Sequence, residues 1–444
     1  MLWKKDWLNS NMKSSFIVTS SKQNYKPFRN QPLGELYLST ILEQHFKDQL
    51  DVSMIDLRSI NPDDAIYHVP ERDVYMYSVT TLDYLDTKRI VGEIRQIYPN
   101  AKHIAGGPHI EALPEESSKI FDAISLGKGE ESIKRMIEDI SNSRLKNLYK
   151  QEGNIDFSSY PYASRKFLPK SAIAQSGILN GENRDLNGTS VLFSRGCPFQ
   201  CYFCANQNKG KTIFTPFEVM AEEIAYLKRE YGVEALAIKD DNGIPVNKKI
   251  AKPYLETIAK AGVKWRGQSR ANGISRDFVK LAKESGCVEI AVGIESVSEK
   301  VLKNINKKIE LEPAKKYLKM LKEEGIDRRL LLITGLPGEP KDIADRTIEF
   351  IKETEPSSVL FSILCPLPGT EMYRNPKRFG MKIDYNVPFD CYIPSVGRFD
   401  ENEKPRQIFE YEEVTPFGKG MSMEEIFKNH AKVQDFLRKN NLIF

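Results

Sequence analysis

The chain has 444 residues, too many for one ordinary hydrophobic core, so two or three domains are expected. Its 65 Lys and Arg nearly balance 61 Asp and Glu, and the net charge of +4 gives neither the basic footprint of a nucleic-acid binder nor an acidic tail. No apolar run reaches transmembrane length, Phe16-Ile17-Val18 after the polar start bearing Trp3 and Trp7 is too short for a signal-peptide core, and Cys287, Cys365 and Cys391 are too scattered for a disulfide framework, which together point to a reducing cytoplasm.

From Ser14 to Asp139 short apolar runs alternate with helix-like stretches. Strands are predicted at Phe16-Ile17-Val18, Val52 to Ile55, Val74 to Val79, His103-Ile104-Ala105 and Ala123 to Leu126. After Pro32-Leu33-Gly34, the residues Leu36, Ile41 or Leu42, and His45-Phe46 recur at helical spacing. Strands separated by helices imply a doubly wound parallel sheet, and ligands bind such sheets at the carboxyl ends of the strands. The turns predicted there are Ser78-Val79-Thr80-Thr81, Gly106-Gly107-Pro108-His109 and Gly127-Lys128-Gly129-Glu130. Glycine admits close backbone approach and hydroxyls can hydrogen-bond a ligand, although each turn alone is ordinary loop chemistry. The first domain is placed at 14–142, and a linker at 143–187 includes Tyr160-Pro161-Tyr162 and Asn180-Gly181-Glu182-Asn183.

Ser190-Val191-Leu192-Phe193 then reads as a strand leading into a loop with three cysteines, Cys197, Cys201 and Cys204. Five further strands are predicted at Ala235 to Ile238, Val263-Lys264-Trp265, Glu289 to Val292, Leu330 to Ile333 and Val359 to Leu364, with helical patterns such as Met220, Ile224, Leu227 and Tyr231 between them. Six strand–helix units over 188–375 read as a partial barrel of the TIM kind, whose chemistry sits on loops at the strand carboxyl ends. Residues 376–444 are polar and proline-spaced, with Cys391-Tyr392-Ile393-Pro394, and end in a predicted helix with Ile426, Val433 and Leu437 on one face. A small C-terminal module that closes the barrel mouth and shapes the substrate pocket is expected.

The cysteine loop carries the chemistry. Three thiolates can hold three irons of a four-iron four-sulfur cluster and leave the fourth iron open, whereas structural zinc wants four ligands and electron-carrying clusters usually want four cysteines. A chance group of reduced thiols, or a zinc site completed by a distant residue, is the alternative. The spacing, with aromatic Phe203 just before the last cysteine, resembles the radical S-adenosylmethionine (radical SAM) family. The order of Pro32-Leu33-Gly34, Gly106-Gly107-Pro108-His109 with Leu113-Pro114-Glu115, and Gly127-Lys128-Gly129-Glu130 resembles the cobalamin-binding domain that precedes many radical SAM domains. The Asp-x-His-x-x-Gly motif that supplies an axial histidine in other cobalamin domains is missing, as is common within this subgroup. A degenerate sheet that binds nothing is the competing reading.

That resemblance implies a 4Fe-4S cluster on Cys197, Cys201 and Cys204, with SAM chelating the open iron through its amino and carboxylate groups. One-electron cleavage would then release a 5′-deoxyadenosyl radical. SAM contacts are expected from Phe203, Asp241 (ammonium), Arg270 (carboxylate), Glu295 and Ser296, Gly335 and Pro337, and Pro368. Cobalamin contacts are expected from Ser78, Thr80, Gly106, Gly107, Pro108, His109, Gly127, Gly129 and Glu130, with His109 equally able to shape its turn. For each strand-end group a local role competes: Asp240 as a helix cap, Glu295 as a surface ion pair, the Gly-Pro loops as turns. No general base is nominated, and Cys365 is read as a buried thiol in preference to a hydrogen donor. The implied function is a cobalamin-dependent radical SAM methyltransferase acting on an unactivated carbon or phosphorus centre of a small biosynthetic intermediate, with reduced flavodoxin or ferredoxin as electron donor. The alternatives are cyclisation, ring contraction or oxidation on the same architecture, and an iron–sulfur sensing or binding module without turnover.

Overall fold

The structure is a computed structural model that describes residues 11–19, 27–151, 160–206, 210, 212–242, 244–245, 247–389 and 408–443. Trp3, Trp7 and the Cys391-Tyr392-Ile393-Pro394 segment lie outside the described residues. The chain divides into two compact units, 1–175 with 218–232, and 176–217 with 233–444.

The first unit is built on strands β1 (Met12–Val18), β2 (Leu50–Asp56), β3 (Val74–Ser78), β4 (Lys102–Gly106), β5 (Ala123–Leu126) and β6 (Leu148–Lys150). All pair in parallel, in the order β2-β1-β3-β4-β5-β6. Helices α1 (Leu33–Phe46), α2 (Tyr84–Ile97), α3 (Pro108–Ala112), α4 (Pro114–Ser117) and α5 (Gly129–Ser141) join them. Val74, Met76, Phe16 and Ile104 of the sheet pack with Leu42, Ile133, Met136 and Ile137 of α1 and α5. Strand order reverses between β1 and β3, which opens a crevice at their carboxyl ends, the usual ligand site in such sheets. Edge strand β6 falls inside the expected linker: only Tyr149 of its three residues is buried, so it has no apolar run to betray it. The stretch from Tyr160 to Gln175 also packs here, with Leu168 and Ile173 against Leu36. Helix α6 (Phe217–Tyr231) joins this unit, because Arg165, without exposed surface, pairs with its Glu223 at 2.9 Å.

In the second unit β7 (Gly188–Val191), β10 (Ala235–Ile238), β11 (Lys264–Ser269), β12 (Cys287–Glu295), β13 (Asp327–Thr334) and β14 (Ser358–Ile363) form a parallel sheet in sequence order. The short antiparallel pair β8 (Ser194–Arg195) and β9 (Ile213–Phe214) brackets the cysteine loop. Helices α7 (Lys248–Ala261), α8 (Arg276–Glu284), α9 (Glu299–Asn304), α10 (Leu311–Glu323), α11 (Ile343–Thr354) and α12 (Glu371–Arg374) follow the strands. Alternation gives the sheet two faces. Trp265 donates its indole N–H to the Ser285 carbonyl after α8 (3.0 Å), and Ile290, Val292, Leu330 and Leu332 bury on that same side. Arg266, Glu289 and Arg329 lie on the opposite, inner face, joined there by Asn180.

Beyond this partial (β/α)6 barrel, β15 (Met381–Ile383) pairs with β16 (Phe409–Tyr411) and β17 (Val414–Thr415) with β18 (Gly418–Lys419). Helix α13 (Met423–Lys439) starts with a Ser422/Glu425 capping box and buries Ile426, Val433 and Leu437 completely. It lies in the outer layer beside β14 and α11, where His430 stacks on Phe361 at 5.5 Å. No helix among the described residues is long and apolar enough to cross a membrane.

Candidate functional site

The crevice of the first unit collects most of the expected sheet-edge residues. Ser78 ends β3, and the Thr80 hydroxyl donates to Asp83 (2.7 Å) at the start of α2. Gly34, opening α1, lies beside Ser78, where a Cβ would have ordinary room, 3.7 Å from its Oγ. Two groups not anticipated from sequence line this edge. Burial raises the Glu35 carboxyl from 4.5 to about 7, with nearby Asp83 adding to the rise and Arg58 opposing it. Burial raises Asp83 as well. The loop after β1 is held by Arg58, which donates to the Asn30 carbonyl (2.6 Å) and is paired with Asp56 (2.7 Å). The signal was present in Gly34-Glu35, next to the motif that was noticed.

The glycine turns are built differently from the expectation. Gly107 has φ +103°, and a Cβ there would meet the Val79 amide nitrogen at 2.7 Å, so this glycine serves the packing of the β4 turn on the β3 turn. Gly106 leaves ordinary room, 3.7 Å to Ser125. His109 is fully buried, stacked on Tyr84 at 4.0 Å and bonded through Nδ1 to Thr81 Oγ1 (3.1 Å). Burial lowers its pKa to about 4, which keeps it neutral. It shapes its turn. Pro108 opens α3, and Gly127, Gly129 and buried Glu130 lead into α5, where a Cβ on Gly129 would touch Leu38 at 3.3 Å.

In the second unit four segments converge on the cysteine loop. Gly196 N–H donates to Asp241 (2.9 Å) and Asn242 Nδ2 to Cys197 Sγ (3.5 Å), both acceptors and donors coming from the end of β10. Arg270, after β11, donates to Cys201 Sγ (3.5 Å) and to the Lys307 carbonyl, with its guanidinium 3.7 Å from the Phe199 ring centre. Tyr202 N–H donates to the Ile305 carbonyl (3.0 Å) and Asn306 Nδ2 to that of Gln200 (2.8 Å). Met372 N–H, from α12, donates to the Tyr202 carbonyl at 3.3 Å. Arg270 thus supports the loop in this geometry, whereas the expectation gave it to a carboxylate. Asp240 is no helix cap: it accepts from Phe193 N–H (2.7 Å) and Tyr254 (3.1 Å), and burial raises its pKa to about 7.

Glu295 is no surface ion pair. It is 8 % exposed, adopts φ +68°, and bonds Lys307 Nζ at 2.7 Å. A Cβ on Gly293 would lie 2.6 Å from Glu295 Oε1, so the missing side chain makes room for this pair. Lys307 Nζ is 5.9 Å from the Phe203 ring centre. Sequence reading missed Lys307 because it sits in a charged loop, Asn306-Lys307-Lys308, that resembles solvated surface. Ser296 is buried, and its Oγ accepts from Ser298 N–H (3.3 Å). At the end of β13, Gly335 N–H donates to Glu339 (2.8 Å), its carbonyl accepts from Tyr411 (2.8 Å), and the Pro337 carbonyl accepts from Asn304 (2.9 Å). Pro368, buried, lies in the turn capped by Thr370 before α12. Burial raises the Cys365 thiol pKa, which makes it a poor thiolate.

None of the three loop cysteines is joined in a disulfide among the described residues. Among the described residues no three His, Cys, Asp or Glu side chains close into a cage for a single metal ion. The fit of an iron–sulfur cluster therefore rests on the donor set and its shell: three thiols on one loop, two of them accepting N–H bonds from Asn242 and Arg270. The crevice fits an amide-rich corrin through the hydroxyls of Ser78 and Thr80 and the Glu35 carboxyl, which burial raises to about 7.

Residues 191–351 match the radical SAM superfamily and residues 27–137 match the B12 binding domain. An uncharacterized methyltransferase of Pyrococcus horikoshii is 28% identical over 77% of both chains. The bacteriochlorophyllide d C-8(2)-methyltransferase of Chlorobaculum tepidum is 24% identical over 81% of this chain and 78% of its own. The radical S-adenosylmethionine methyltransferase TsrM of Kitasatospora setae, solved with cobalamin and a [4Fe-4S] cluster, superposes with TM-score 0.72 over 96% of this chain and 89% of its own, at 15% identity, a likeness of fold. With the cysteine loop at the strand ends of one sheet and a ligand crevice at the switch point of the other, the chain carries a B12-binding domain ahead of a radical SAM domain.

Proposed function

We propose that the protein is a cobalamin-dependent methyltransferase that methylates an unactivated carbon or phosphorus centre of a small biosynthetic intermediate, in a reducing cytoplasm, with reduced flavodoxin or ferredoxin as electron donor. The observation that carries this reading is the pairing of a B12-binding domain with a radical SAM domain in one chain, several of whose relatives are named methyltransferases while others are named cyclases. When bound, the cluster and SAM supply one-electron cleavage of an otherwise inert bond, and cobalamin supplies a methyl carrier.

The chain's own residues bind, orient and exclude water. Cys197, Cys201 and Cys204 would hold the cluster, with the N–H donors of Asn242 and Arg270 directed at the Cys197 and Cys201 sulfurs. Asp241, fixed by Gly196, presents a carboxylate for the SAM ammonium. Lys307 and Arg270 are the cations available to the SAM carboxylate, Lys307 by exchanging its bond to Glu295. Phe199 and Phe203 keep water from the loop, and Gly335 and Pro337, ordered by Glu339 and Asn304, line the adenosine side. In the crevice, Glu35 in its protonated form would donate to a corrin amide, beside the Asp83 carboxyl and the hydroxyls of Ser78 and Thr80.

The test is anaerobic incubation of reconstituted protein with hydroxocobalamin, SAM and a chemical reductant, followed by mass analysis. S-adenosylhomocysteine is expected beside 5′-deoxyadenosine. 5′-Deoxyadenosine without S-adenosylhomocysteine would overturn methyl transfer in favour of cyclisation, ring contraction or oxidation.

A further inference from the structure

At the end of β13 the chain turns back over Gly335-Leu336-Pro337-Gly338, with φ +82° at both glycines. A side chain at Gly335 would lie 3.2 Å from Ile426 Cγ2 of α13, and one at Gly338 would lie 2.9 Å from Phe417 Cβ and 2.6 Å from Asn304 Nδ2. These glycines therefore take a backbone conformation that other residues avoid, and they let α13 and the β17–β18 hairpin press on the turn. Tyr411 of β16 donates its hydroxyl to the Gly335 carbonyl (2.8 Å), and Lys300 of α9 donates to the Phe417 carbonyl (3.4 Å).

The same segment reaches the cysteine loop. Phe379, without exposed surface, ends the short helix Pro376–Phe379 and stacks on Phe417, with ring centres 6.4 Å apart and planes 24° off parallel. It also packs at 5.6 Å against Tyr202, which lies between Cys201 and Cys204. Arg378 covers the Tyr202 ring at 4.4 Å and donates to its hydroxyl (2.8 Å). Gly380 fixes this arrangement: its φ is +63°, a Cβ there would meet Thr415 at 2.5 Å, and its carbonyl accepts from Glu412 N–H (2.8 Å). Met381 then stands opposite Tyr411 in the β15–β16 register. A row of three rings, Tyr202, Phe379 and Phe417, thus runs from the cysteine loop to the β13 turn, and Tyr411 holds the same turn by a hydrogen bond. In the sheet, by contrast, three strands separate β13 from β7, the strand before the cysteine loop. A molecule that ligates an iron at the cysteine loop and rests its other end on the β13 turn needs those two places held at a set distance, since small misplacements are costly.

We propose that Phe417 and Tyr411 are positioning residues for SAM: braced through Phe379 on Tyr202, they hold the β13 turn at a fixed place relative to the cysteine loop, and they act on the adenosine end of SAM alone. The inference rests on the reading above that Gly335 and Pro337 line the adenosine side. It gives residues 409–417, outside the barrel, a part in binding that no residue of the barrel strands supplies.

The test titrates the anaerobically reconstituted, reduced full-length enzyme with SAM and with L-methionine, reading binding from the electron paramagnetic resonance spectrum of the cluster. Methionine offers the same amino and carboxylate groups without the adenosine. Phe417→Leu should weaken SAM about five- to tenfold, the size of one aromatic pair. Tyr411→Phe should weaken it about threefold or more, the size of one hydrogen bond. Methionine affinity and iron content should stay at the wild-type level in both variants. Phe417→Tyr keeps the ring and should bind SAM as the wild type does. Tyr411→Phe keeps its ring and its shape, so it decides the question even where Phe417→Leu folds poorly. Equal weakening of SAM and methionine, or unchanged SAM affinity in both variants, would overturn the proposal. Pro337→Leu separates this failure from that of the underlying reading. Weakened SAM binding in Pro337→Leu, with wild-type affinity in Phe417→Leu and Tyr411→Phe, sinks the brace alone; wild-type affinity in all three sinks the adenosine reading with it. Neither outcome bears on methyl transfer, which the S-adenosylhomocysteine assay decides.

Discussion

Lys307 Nζ lies 2.7 Å from Glu295 Oε1, and the backbone is bent at both ends of the contact to put it there. Glu295 has φ +68°, and Lys307 is flanked by Asn306 at +55° and Lys308 at +51°. None is glycine, and each such conformation costs about 1–3 kcal/mol unless the surroundings impose it. Here the surroundings do, since Asn306 is tied to Gln200, the Lys307 carbonyl to Arg270, and Asn272 to the Lys308 carbonyl. Strain concentrated beside a cysteine loop is the mark of a site whose geometry is used.

Lys307→Met leaves the Glu295 carboxylate buried without its partner and should lower stability by about 3–5 kcal/mol. Adding Glu295→Gln removes the stranded charge and should restore most of the melting temperature. SAM affinity, measured by equilibrium dialysis, should stay low in both variants. A double variant that regains SAM affinity with stability would make the pair a purely structural one.

Arg270→Ala separates two roles. The guanidinium touches Cys201 Sγ and covers Phe199, so its loss should reduce iron retained after anaerobic reconstitution as well as SAM binding. A lost charge-assisted bond is worth about 1.5–3 kcal/mol. Normal iron content with weakened SAM binding would return Arg270 to the carboxylate role that its position after β11 suggests.

The strands of the two parallel sheets and the cysteine loop were legible because they depend on local signals: apolar runs, helical spacing and a fixed cysteine pattern. Ile426, Val433 and Leu437 announced α13 in the same way, yet not its place, since periodicity says which face is buried and not what covers it. Lys307 and Glu35 were illegible for a related reason. A charged residue reads as solvated until three-dimensional packing closes over it, and the elements that do so are distant in sequence. His109 was read as equally able to contact a cofactor or shape its turn, and only the packing shows its ring stacked on Tyr84 and bonded to Thr81.

Glu339 predicts a pH dependence. Burial raises its carboxyl from 4.5 to about 7, and Oε1, closed to solvent, has no hydrogen-bond partner among the described residues. The native state therefore binds this proton more tightly than the unfolded chain. Its contribution to stability is complete below about pH 4.5 and is lost as pH rises through about 7. Glu339→Gln keeps an acceptor for Gly335 and removes the titration. Between pH 5 and pH 8 the melting temperature should fall less for this variant than for the wild type. His103 and His109, lowered to about 4 by burial, act oppositely, destabilising the fold as pH drops below 6.5, and are the same in both proteins. Parallel wild-type and variant curves would show that Glu339 is ionised throughout.

Cobalamin binding should distinguish the two glycines of the β4 turn. At Gly107 any side chain meets the Val79 backbone at 2.7 Å and must hold φ +103°, so Gly107→Ala should destabilise the first unit and lose cobalamin with its fold. Gly106 has 3.7 Å to Ser125, and Gly106→Ala should fold normally. Whether it still binds then reports on the crevice itself. His109→Phe should preserve stacking on Tyr84 and leave the absorption spectrum of bound cobalamin unchanged, because the wild-type ring is wholly buried and supplies no ligand. Glu35→Gln, in contrast, exchanges a neutral carboxyl for an amide of the same shape and should bind cobalamin with near-normal affinity at pH 6, whereas Glu35→Ala should weaken it about tenfold. A spectrum showing histidine coordination that disappears in His109→Phe would reverse the assignment, requiring the α3 turn to open and release the ring from Thr81 and Tyr84.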